Sequence, residues 1–382
     1  MRHHDFQPAD KFTLCPVEFD KYTDIRTLRY CLGATMYMPG TRNFHSEIVS
    51  RKYPGLTSLV LCFEDACREE DVPAAENNVI SLLNSLNEDI ASGKLKKESV
   101  PLLIIRVRSI EQFKSFSARL DHDQAKMITA FNFPKFDLSN GEEYFAHLKY
   151  LNEKLNEVIY GMPILESRAM AYIGTRTEEL IGVKEILDRY KDLVLNVRVG
   201  GTDWSSVFGV RRGINYTIYE ILPVADCLKD VLNVFSRNNE YTVSGPVWEY
   251  FRAEKSMKFG KLPEKINQSI FKGKTYINDA VDGLLREVML DRANGFIGKT
   301  IIHPTHIPFV NGMYSVTEEV YNDAMQILNT GDGVVKSGNS NKMNEARPHR
   351  NWAEKVYARA RVFGVIKDES CYTSLFVTEN DK

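Results

Sequence analysis

Two carboxylates that each follow a short apolar run are the residues of this 382-residue sequence best suited to chemistry. The first run, at residues 161–165, ends on Glu166, and the second, at residues 193–199, leads through a glycine-rich turn to Asp203. A helix-like segment at residues 177–190 separates the runs, and the order strand, helix, strand predicts a parallel βαβ unit. Both strands of such a unit end at the same edge of a sheet, so we expect Glu166 and Asp203 to lie side by side.

Two converging carboxylates offer hard oxygen ligands, which suit a divalent cation that prefers oxygen, above all Mg²⁺. A second interpretation of the same residues is that each acid caps the helix that follows it. A third is that each acid pairs with a neighbouring arginine such as Arg168 or Arg198. The two runs by themselves leave these interpretations open.

The elements that must position these groups are eight short apolar runs that alternate with helical patterns. The runs lie at residues 27–38, 58–63, 100–107, 127–133, 161–166, 193–199, 241–245 and 295–303. The predicted helices lie at residues 70–90, 112–120, 141–159, 177–190, 217–235, 278–293 and 352–363. The alternation predicts an α/β protein, a (β/α)₈ TIM barrel over residues 27–329. We expect residues 1–26 to form an N-terminal arm and residues 330–382 to form a C-terminal lid loop and helix.

Functional side chains of a TIM barrel sit at the C-terminal ends of its strands. In this sequence those ends carry Arg42, Glu64, Asp65, Arg106, Lys135, Glu166, Asp203, Trp248, His303 and His306. This many polar groups closing apolar strands predicts a polar cup, with Glu166 and Asp203 as the direct ligands of a metal.

The other charged groups at this rim each have two interpretations. Glu64 and Asp65 suit metal-bound waters, or they cap the helix that follows. Arg106 is a planar fork suited to a substrate carboxylate, or it pairs with Glu64 or Asp65, and both roles can coexist. Lys135 is placed to neutralise developing charge, or it faces solvent as most lysines do.

Three further motifs are weaker. The pair His303 and His306 is separated by a proline that prevents an ordinary helix from placing both rings on one face, so a packing role is favoured for His303. The glycines before Asp203 lack the spacing of a phosphate loop and more plausibly allow a tight turn that brings Asp203 to the metal. Arg211 and Arg212 are candidate phosphate contacts, although pairs of exposed arginines are common.

The composition excludes several classes of protein. The chain has 43% hydrophobic and 26% charged residues, which is typical of a globular protein, and its net charge of −2 provides no basic field for nucleic acid. Its apolar runs are too short to span a membrane, and no apolar stretch follows the first residues as a secretory signal would require. The six cysteines have neither metal nor disulfide spacing. We therefore expect a cytoplasmic protein.

Seven short motifs carry a resemblance to a known family. In chain order they are Met36–Arg42, Leu61–Ala66, Ile105–Val107, Phe133–Lys135, Ile164–Glu166, Gly200–Asp203 and Gly295–Pro304. With these motifs, the chain resembles the citrate lyase β-subunit-like branch of the HpcH/HpaI aldolase and citrate lyase superfamily. Departures at the fifth and sixth motifs make it look like the divergent branch described as C–C bond lyases of the TIM-barrel fold.

The resemblance implies a TIM barrel that holds Mg²⁺ through Glu166 and Asp203, with Glu64 and Asp65 supporting the waters of the metal. It implies that Arg106 binds the keto-acid or enolate part of the substrate. Members cleave or form C–C bonds in 3-hydroxy-acid thioesters such as citryl-CoA or malyl-CoA, and they usually form trimers or hexamers. The C-terminal lid of the family often presents an acid to the site of a neighbouring subunit, and the acid that this sequence offers is Glu345.

We therefore expect a Mg²⁺-dependent carbon–carbon lyase or aldolase that acts on a 3-hydroxy acid or its thioester through an enolate of a 2-keto acid. The expected catalytic residues are Glu64, Asp65, Arg106, Lys135 and Glu345. The expected substrate contacts are Arg42, Arg106, Gly201, Thr202 and Trp248.

Two alternatives stay open. One is a biosynthetic aldol condensation on a phosphorylated or nucleotide-like substrate in a stress or tellurite-resistance pathway, with Arg211, Arg212 and Lys135 as phosphate contacts. The other is a non-catalytic barrel that acts as an assembly partner.

Overall fold

A parallel sheet forms the centre of the computed structural model, which describes residues 1–251, 277–331, 333–338 and 342–377. Within these residues the sheet has seven strands. They are β1 (Ala34–Pro39), β2 (Ser58–Cys62), β3 (Leu102–Arg106), β4 (Ile128–Phe133), β5 (Tyr160–Leu165), β6 (Arg198–Val199) and β7 (Lys299–Ile301). Their order across the sheet is β6, β5, β4, β3, β2, β1, β7, and each pairing is parallel.

The segment at residues 241–245, which the sequence predicts as a strand, joins the two edges of this sheet. Val243 forms a parallel bridge with Val197 beside β6, and Gly245 forms another with Lys299 at the start of β7. Single bridges are too short to count as a regular strand, but they connect both edges, so the sheet curls round on itself. The predicted α/β TIM-barrel fold is confirmed.

Helices follow most of the strands. In the described residues they are α1 (Ile25–Leu28), α2 (His45–Val49), α3 (Val72–Ala91), α4 (Ile110–Ala118), α5 (His122–Met127), α6 (Gly141–Leu155), α7 (Arg168–Ala171), α8 (Ile173–Arg189), α9 (Gly201–Val207), α10 (Leu222–Phe235), α11 (Asp279–Asn294), α12 (Ile307–Tyr314), α13 (Glu318–Asn329), α14 (Ala346–Phe363) and α15 (Tyr372–Leu375). Helices were predicted near α3, α4, α6, α8, α10, α11 and α14. The first predicted strand begins later than expected, because Asp24 caps α1 where a strand was expected to start at residue 27.

Burial explains why the barrel strands are so apolar. Strands β2 to β5 are buried along their whole length, as expected for parallel strands that are covered on both faces. In α3, the apolar stripe of Val79, Leu82, Leu83 and Leu86 is buried against this core. These strands are thereby packed on both of their faces.

The two ends of the chain pack together. His3 is fully buried and stacks on Phe363 of α14 with ring centroids 4.4 Å apart, and Leu14 forms an antiparallel bridge with Val365. Strand β8 (Val316–Thr317) pairs in parallel with β11 (Val365–Ile366). The N-terminal residues are thus anchored against the C-terminal part of the chain.

The predicted lid loop contains a β-hairpin in its described part. Strand β9 (Val334–Lys336) pairs antiparallel with β10 (Met343–Glu345), while residues 332 and 339–341 of that loop lie outside the described residues. The helices α13 and α14 pack on each other around a small apolar cluster that includes Ala324 and Ala353. The boundaries at residues 26 and 329 stay predictions. None of the described helices has both the length and the apolar character that a membrane span requires.

Candidate active site

Charged side chains meet at one end of the barrel, where β2, β3, β4, β5 and β6 end. They line a cavity of about 480 Å³. Its lining includes Asp65, Arg106, Glu166 and Asp203, together with Gly201 and Thr202. These four charged residues, which the sequence assigns to different strand ends, therefore share one cavity, as the parallel order of the strands requires.

Glu166 is held tightly at the end of β5. It is 5% exposed, and its Oε1 atom accepts hydrogen bonds from the Lys135 backbone N–H at 2.9 Å and from Arg106 Nη2 at 3.3 Å. Burial raises the pKa of Glu166 to about 8; the Asp203 carboxylate adds to this rise, and the Arg106 guanidinium opposes it. The pairing with Arg106 replaces the predicted alternatives of Arg168 and Arg198. A cation beside Oε2 would favour the charged form of this acid.

Gly200 makes the position of Glu166 possible. A Cβ atom at residue 200 would lie 2.3 Å from Glu166 Oε2 and 2.4 Å from Glu166 Cβ. The backbone at Gly200 has φ −99°, so the requirement for glycine comes from close approach and not from backbone conformation. The glycine pattern in the sequence predicts a tight turn here, and this close contact arises only from the pairing of β5 with β6.

Asp203 does not end a strand directly. It lies in the first turn of α9, which begins at Gly201 immediately after β6 and Gly200. The side chain is partly exposed and lines the cavity that Glu166 also lines. The short helix, which the sequence did not predict, sets the direction in which this carboxylate points.

Arg106 connects three carboxylates through one nitrogen. Its Nη2 lies 2.5 Å from Glu64 Oε2, 3.1 Å from Asp65 Oδ2 and 3.3 Å from Glu166 Oε1. Burial by itself would lower the pKa of Arg106, but Glu166, followed by Cys62 and Glu64, raises it overall. The buried Nε atom of Arg106 has no hydrogen-bond partner among the described residues. The predicted ion pairs with Glu64 and Asp65 are present.

Lys135 contributes both its backbone and its side chain. Its backbone has a positive φ of 47°, uncommon for a residue with a side chain, and its N–H donates to Glu166. Its ammonium group, 57% exposed, pairs with Glu64 Oε1. Burial lowers the pKa of Lys135, but the hydrogen bond to Glu64 and the charges of nearby acids raise it overall. Lys135 thus positions Glu64 and Glu166 and places a cation at the mouth of the cavity.

Arg198 lines the cavity as well, although the sequence analysis treated it only as a partner for an acid. It is 1% exposed. It donates to Thr300 Oγ1 and, at 3.5 Å, to Thr35 Oγ1 on the facing strands. The signal in the sequence was an arginine inside an otherwise apolar strand.

Trp248 requires a correction. The sequence predicts it as a substrate contact, but the indole ring is fully buried and its Nε1 donates to the Ala280 carbonyl at 2.9 Å. The guanidinium of Arg212 lies 4.7 Å from the centroid of this ring. Because the ring is enclosed by protein atoms, it has no free face for a ligand.

Arg212 also requires a correction as a phosphate contact. Its Nη1 donates to both carboxylate oxygens of Glu287, at 2.8 and 2.6 Å, and the side chain is buried. Lys299 joins this network through Glu287 and Asp291. Arg211 is exposed and lines a neighbouring cavity of about 400 Å³ together with Gly201 and Thr202.

The remaining rim residues lie apart from the main cavity. Arg42 is 43% exposed and pairs with Glu47 at 3.0 Å. Glu345 lies exposed at the end of β10. His303 stacks on Phe251 with centroids 4.3 Å apart, and this contact is consistent with a packing role. In this chain alone, neither Arg42 nor Glu345 is among the residues that line the cavity.

The donor set fits a magnesium ion. In the described part of the chain, no three histidine, cysteine or acidic side chains converge to hold a metal by themselves. Mg²⁺ is commonly bound by one or two carboxylates and keeps several waters or substrate oxygens. Glu166 and Asp203 supply two carboxylates, and the open cavity beside them leaves room for the other ligands.

Comparisons with known proteins agree with this architecture. A family model described as "C-C_Bond_Lyase of the TIM-Barrel fold" matches residues 26–365. No curated protein sequence matches the chain significantly. The solved structure of CitE from Mycobacterium tuberculosis in complex with magnesium, acetoacetate and coenzyme A is similar, with 16% identity and a TM-score of 0.50 over 87% of this chain and 99% of that chain.

Two other solved structures are more distantly similar. The citrate lyase β subunit of M. tuberculosis complexed with oxaloacetate and magnesium has 16% identity and a TM-score of 0.45, over 75% of this chain and 99% of that chain. A lead(II) complex of Haloferax volcanii malate synthase has 11% identity and a TM-score of 0.48, over 72% and 70% of the two chains. At these identities the similarity concerns the fold.

Proposed function

Because the chain belongs to the family of C–C bond lyases of the TIM-barrel fold, it is a carbon–carbon lyase, and we propose that it is Mg²⁺-dependent and forms or cleaves a 3-hydroxy acid or its thioester. The observation that carries this proposal is that Glu166, Asp203 and Arg106 line one cavity. A cavity with two hard anionic ligands and a guanidinium fork suits a 2-keto acid, which chelates a metal through its carboxylate and keto oxygens.

We assign different roles in the reaction to the residues that line the cavity. Glu166 and Asp203 would hold Mg²⁺. The bound ion would act as a Lewis acid on the 3-hydroxyl oxygen that becomes the keto oxygen, while the electron pair of the broken C–C bond passes to the enolate of the departing acid or thioester fragment. Arg106 fixes Glu166 through Nη2 and has its Nε free of other described partners. We assign to this guanidinium the orientation of the keto-acid carboxylate.

Glu64, Asp65 and Lys135 bring further charged groups to this end of the barrel. Burial raises the pKa of Asp65, but the Arg106 guanidinium, first among several opposing groups, lowers it overall. An ionised Asp65 that is half exposed at the cavity mouth is suited to accept a hydrogen bond from a metal-bound water or a proton from the 3-hydroxyl group. Lys135 faces Glu64 there and would offset the negative charge that develops as the bond breaks.

The cavity is smaller than a complete coenzyme A thioester. A thioester of coenzyme A extends beyond a cavity of about 480 Å³, so its nucleotide part would lie outside the cavity. The family resemblance and the coenzyme A present in the similar CitE complex make CoA esters the first class of substrate to test. The role of Glu345 as a lid acid stays a prediction. The assembly of the chain into a trimer or hexamer also stays a prediction, and light scattering of the purified protein tests it.

The experiment that tests the proposal removes Asp203. Mg²⁺ binding is measured by calorimetry, and enolate formation is measured by NMR as Mg²⁺-dependent exchange of the acetyl-CoA methyl protons with D₂O in the presence of a 2-keto acid. The variant Asp203→Ala should lose both, because one carboxylate is a poor Mg²⁺ site.

The matched control is Asp192→Ala, which removes an exposed aspartate outside the cavity and should change neither measurement. An Asp203→Ala protein with unchanged Mg²⁺ affinity would reject the ligand assignment. A wild-type protein that binds neither Mg²⁺ nor pyruvate would favour the non-catalytic alternative.

A further inference from the structure

Arg198 is a buried cation in the cavity wall that no described carboxylate neutralises. Its described hydrogen-bond partners are neutral hydroxyl groups, those of Thr35, Thr300 and Tyr37. Its guanidinium carbon lies 5.5 Å from the centroid of the Tyr37 ring. Its Nε atom is buried and has no partner in the described part of the chain. A charge in this position is costly to bury unless something pairs with it.

Three other buried arginines of the protein have acidic partners. Arg106 has three carboxylates within 3.3 Å. Arg212 binds both oxygens of Glu287, and Arg176 pairs with Asp226 and Asp230 at 2.7 and 2.8 Å. These arginines are therefore paired with carboxylates, whereas the described partners of Arg198 are hydroxyl groups and its side chain borders the cavity.

The register of the strands locates the Arg198 guanidinium below the carboxylates. On β6, Arg198 pairs with Ile164 of β5, and two residues further along Gly200 lies against the Glu166 carboxylate. Alternate residues of a strand share a face, and two residues advance about 7 Å. Arg198 thus faces the cavity one layer deeper than the Glu166 carboxylate, in the same layer as Thr35 and Thr300, which pair with each other across β1 and β7.

From this placement we propose that Arg198 binds a second oxyanion of the substrate, so that the 2-keto acid is a dianion. Its keto-acid end would occupy the rim beside Glu166 and Asp203, and its distal carboxylate or phosphoryl group would reach the guanidinium. The identity of the rim end rests on the function proposed above. The planar guanidinium group of Arg198 matches the geometry of either oxyanion.

The first test compares pairs of 2-keto acids that differ in the charge of the tail. The pairs are oxaloacetate with 2-oxobutanoate and 2-oxoglutarate with 2-oxopentanoate, and 3-phosphonopyruvate represents the phosphoryl case. Calorimetry with Mg²⁺ present should show at least one dianion binding tenfold or more tighter than its neutral-tail partner. The dianion that gives the largest ratio identifies the distal group and the chain length.

Substitution of Arg198 should remove this preference alone. Arg198→Met, which has no charge, should bind dianions and neutral-tail acids within twofold of each other and should keep the wild-type affinity for pyruvate. Arg198→Lys should keep part of the preference. If Arg198→Met weakens pyruvate as much as the dianions, the arginine has a structural role and the inference is wrong.

A second measurement without Mg²⁺ separates this inference from the proposed function. Succinate or inorganic phosphate at millimolar concentration should raise the melting temperature of the wild type and not that of Arg198→Met, because a ligand of the native state stabilises by mass action. If this shift occurs but no keto acid binds with Mg²⁺, the proposed function fails and the anion subsite stands. If pyruvate binds with Mg²⁺, no dianion is preferred and neither anion gives the shift, the inference fails and the proposed function stands.

Discussion

The substitution Gly200→Ala tests the geometry of the site with the smallest possible change. The added Cβ would lie 2.3 Å from Glu166 Oε2, whereas ordinary contacts begin at 3.4 Å. The Glu166 carboxylate must therefore move by about 1.1 Å, and because Glu166 Cβ would lie 2.4 Å from the new atom, the backbone of β5 or β6 must shift as well. The carboxylate cannot rotate freely, because Lys135 N–H and Arg106 hold its other oxygen. The substitution should displace the Glu166 carboxylate from the position at which it would bind Mg²⁺.

The size of the effect follows from this displacement. A misplacement of about 1 Å at a reacting centre costs roughly 100-fold in rate, and disturbing the groups that orient a metal ligand costs about 10- to 100-fold in affinity. We expect Gly200→Ala to lose about 100-fold in kcat/KM, which corresponds to about 2.7 kcal/mol. Overpacking should also lower the free energy of unfolding by about 1–3 kcal/mol.

The matched control is Gly174→Ala in α8, where a Cβ would meet no atom within 4 Å. This helical substitution should leave activity unchanged and raise the free energy of unfolding by up to about 1 kcal/mol. Mg²⁺ affinity is measured by calorimetry and enolate formation by proton exchange of acetyl-CoA. If Gly200→Ala keeps Mg²⁺ affinity and exchange within threefold of the wild type, then Glu166 is not a metal ligand or the contact with residue 200 is not restrictive.

Two further predictions concern stability. Arg212→Met removes one of the cations that pair with the buried Glu287, so the free energy of unfolding measured in urea should fall by about 3–5 kcal/mol. The control Arg211→Met, at the exposed neighbouring residue, should change the free energy of unfolding by less than about 0.5 kcal/mol. Equal effects of the two substitutions would contradict the pairing of Arg212 with Glu287. Burial lowers the pKa of His306 to about 3, that of His4 to about 4 and that of His3 well below its usual value. The unfolded state therefore binds more protons below about pH 6.5, and stability should fall on acidification by up to about 1.4 kcal/mol per pH unit for each histidine. In urea unfolding between pH 7 and 5.5, His306→Gln should reduce that slope, and an unchanged slope would show that the imidazole is not kept neutral.

The alternation of apolar runs and helical patterns was sufficient to predict the barrel. Parallel strands covered on both faces must be apolar along their length, and this local requirement is visible in residues such as those of β2 to β5. The same alternation placed Glu166 and Asp203 at one edge, because parallel strands end together. The sequence did not reveal that residues 241–245 pair only through single bridges, since strand length depends on how the two edges meet.

Partner choice was the part of the site that the sequence left undecided. Trp248 follows the strand predicted at residues 241–245 and has the chemistry of a substrate contact. In the structure, however, its ring is enclosed beside Arg212 and Ala280. Arg212 has the chemistry of a phosphate contact, yet Glu287 binds it from 75 residues away in the chain. Residue type fixes what a side chain is able to bind, but long-range packing decides whether it is already occupied.

The sequence by itself therefore determined the class of fold, the edge at which the acids gather and the kind of ion that they suit, because these depend on local periodicity and on ligand chemistry. Only the tertiary structure decided that Glu166 rests against Gly200 and that Arg198 faces the cavity with hydroxyl groups as its described partners. These are contacts between strands or across the barrel. They depend on register and on distance in space, which no spacing along the chain records.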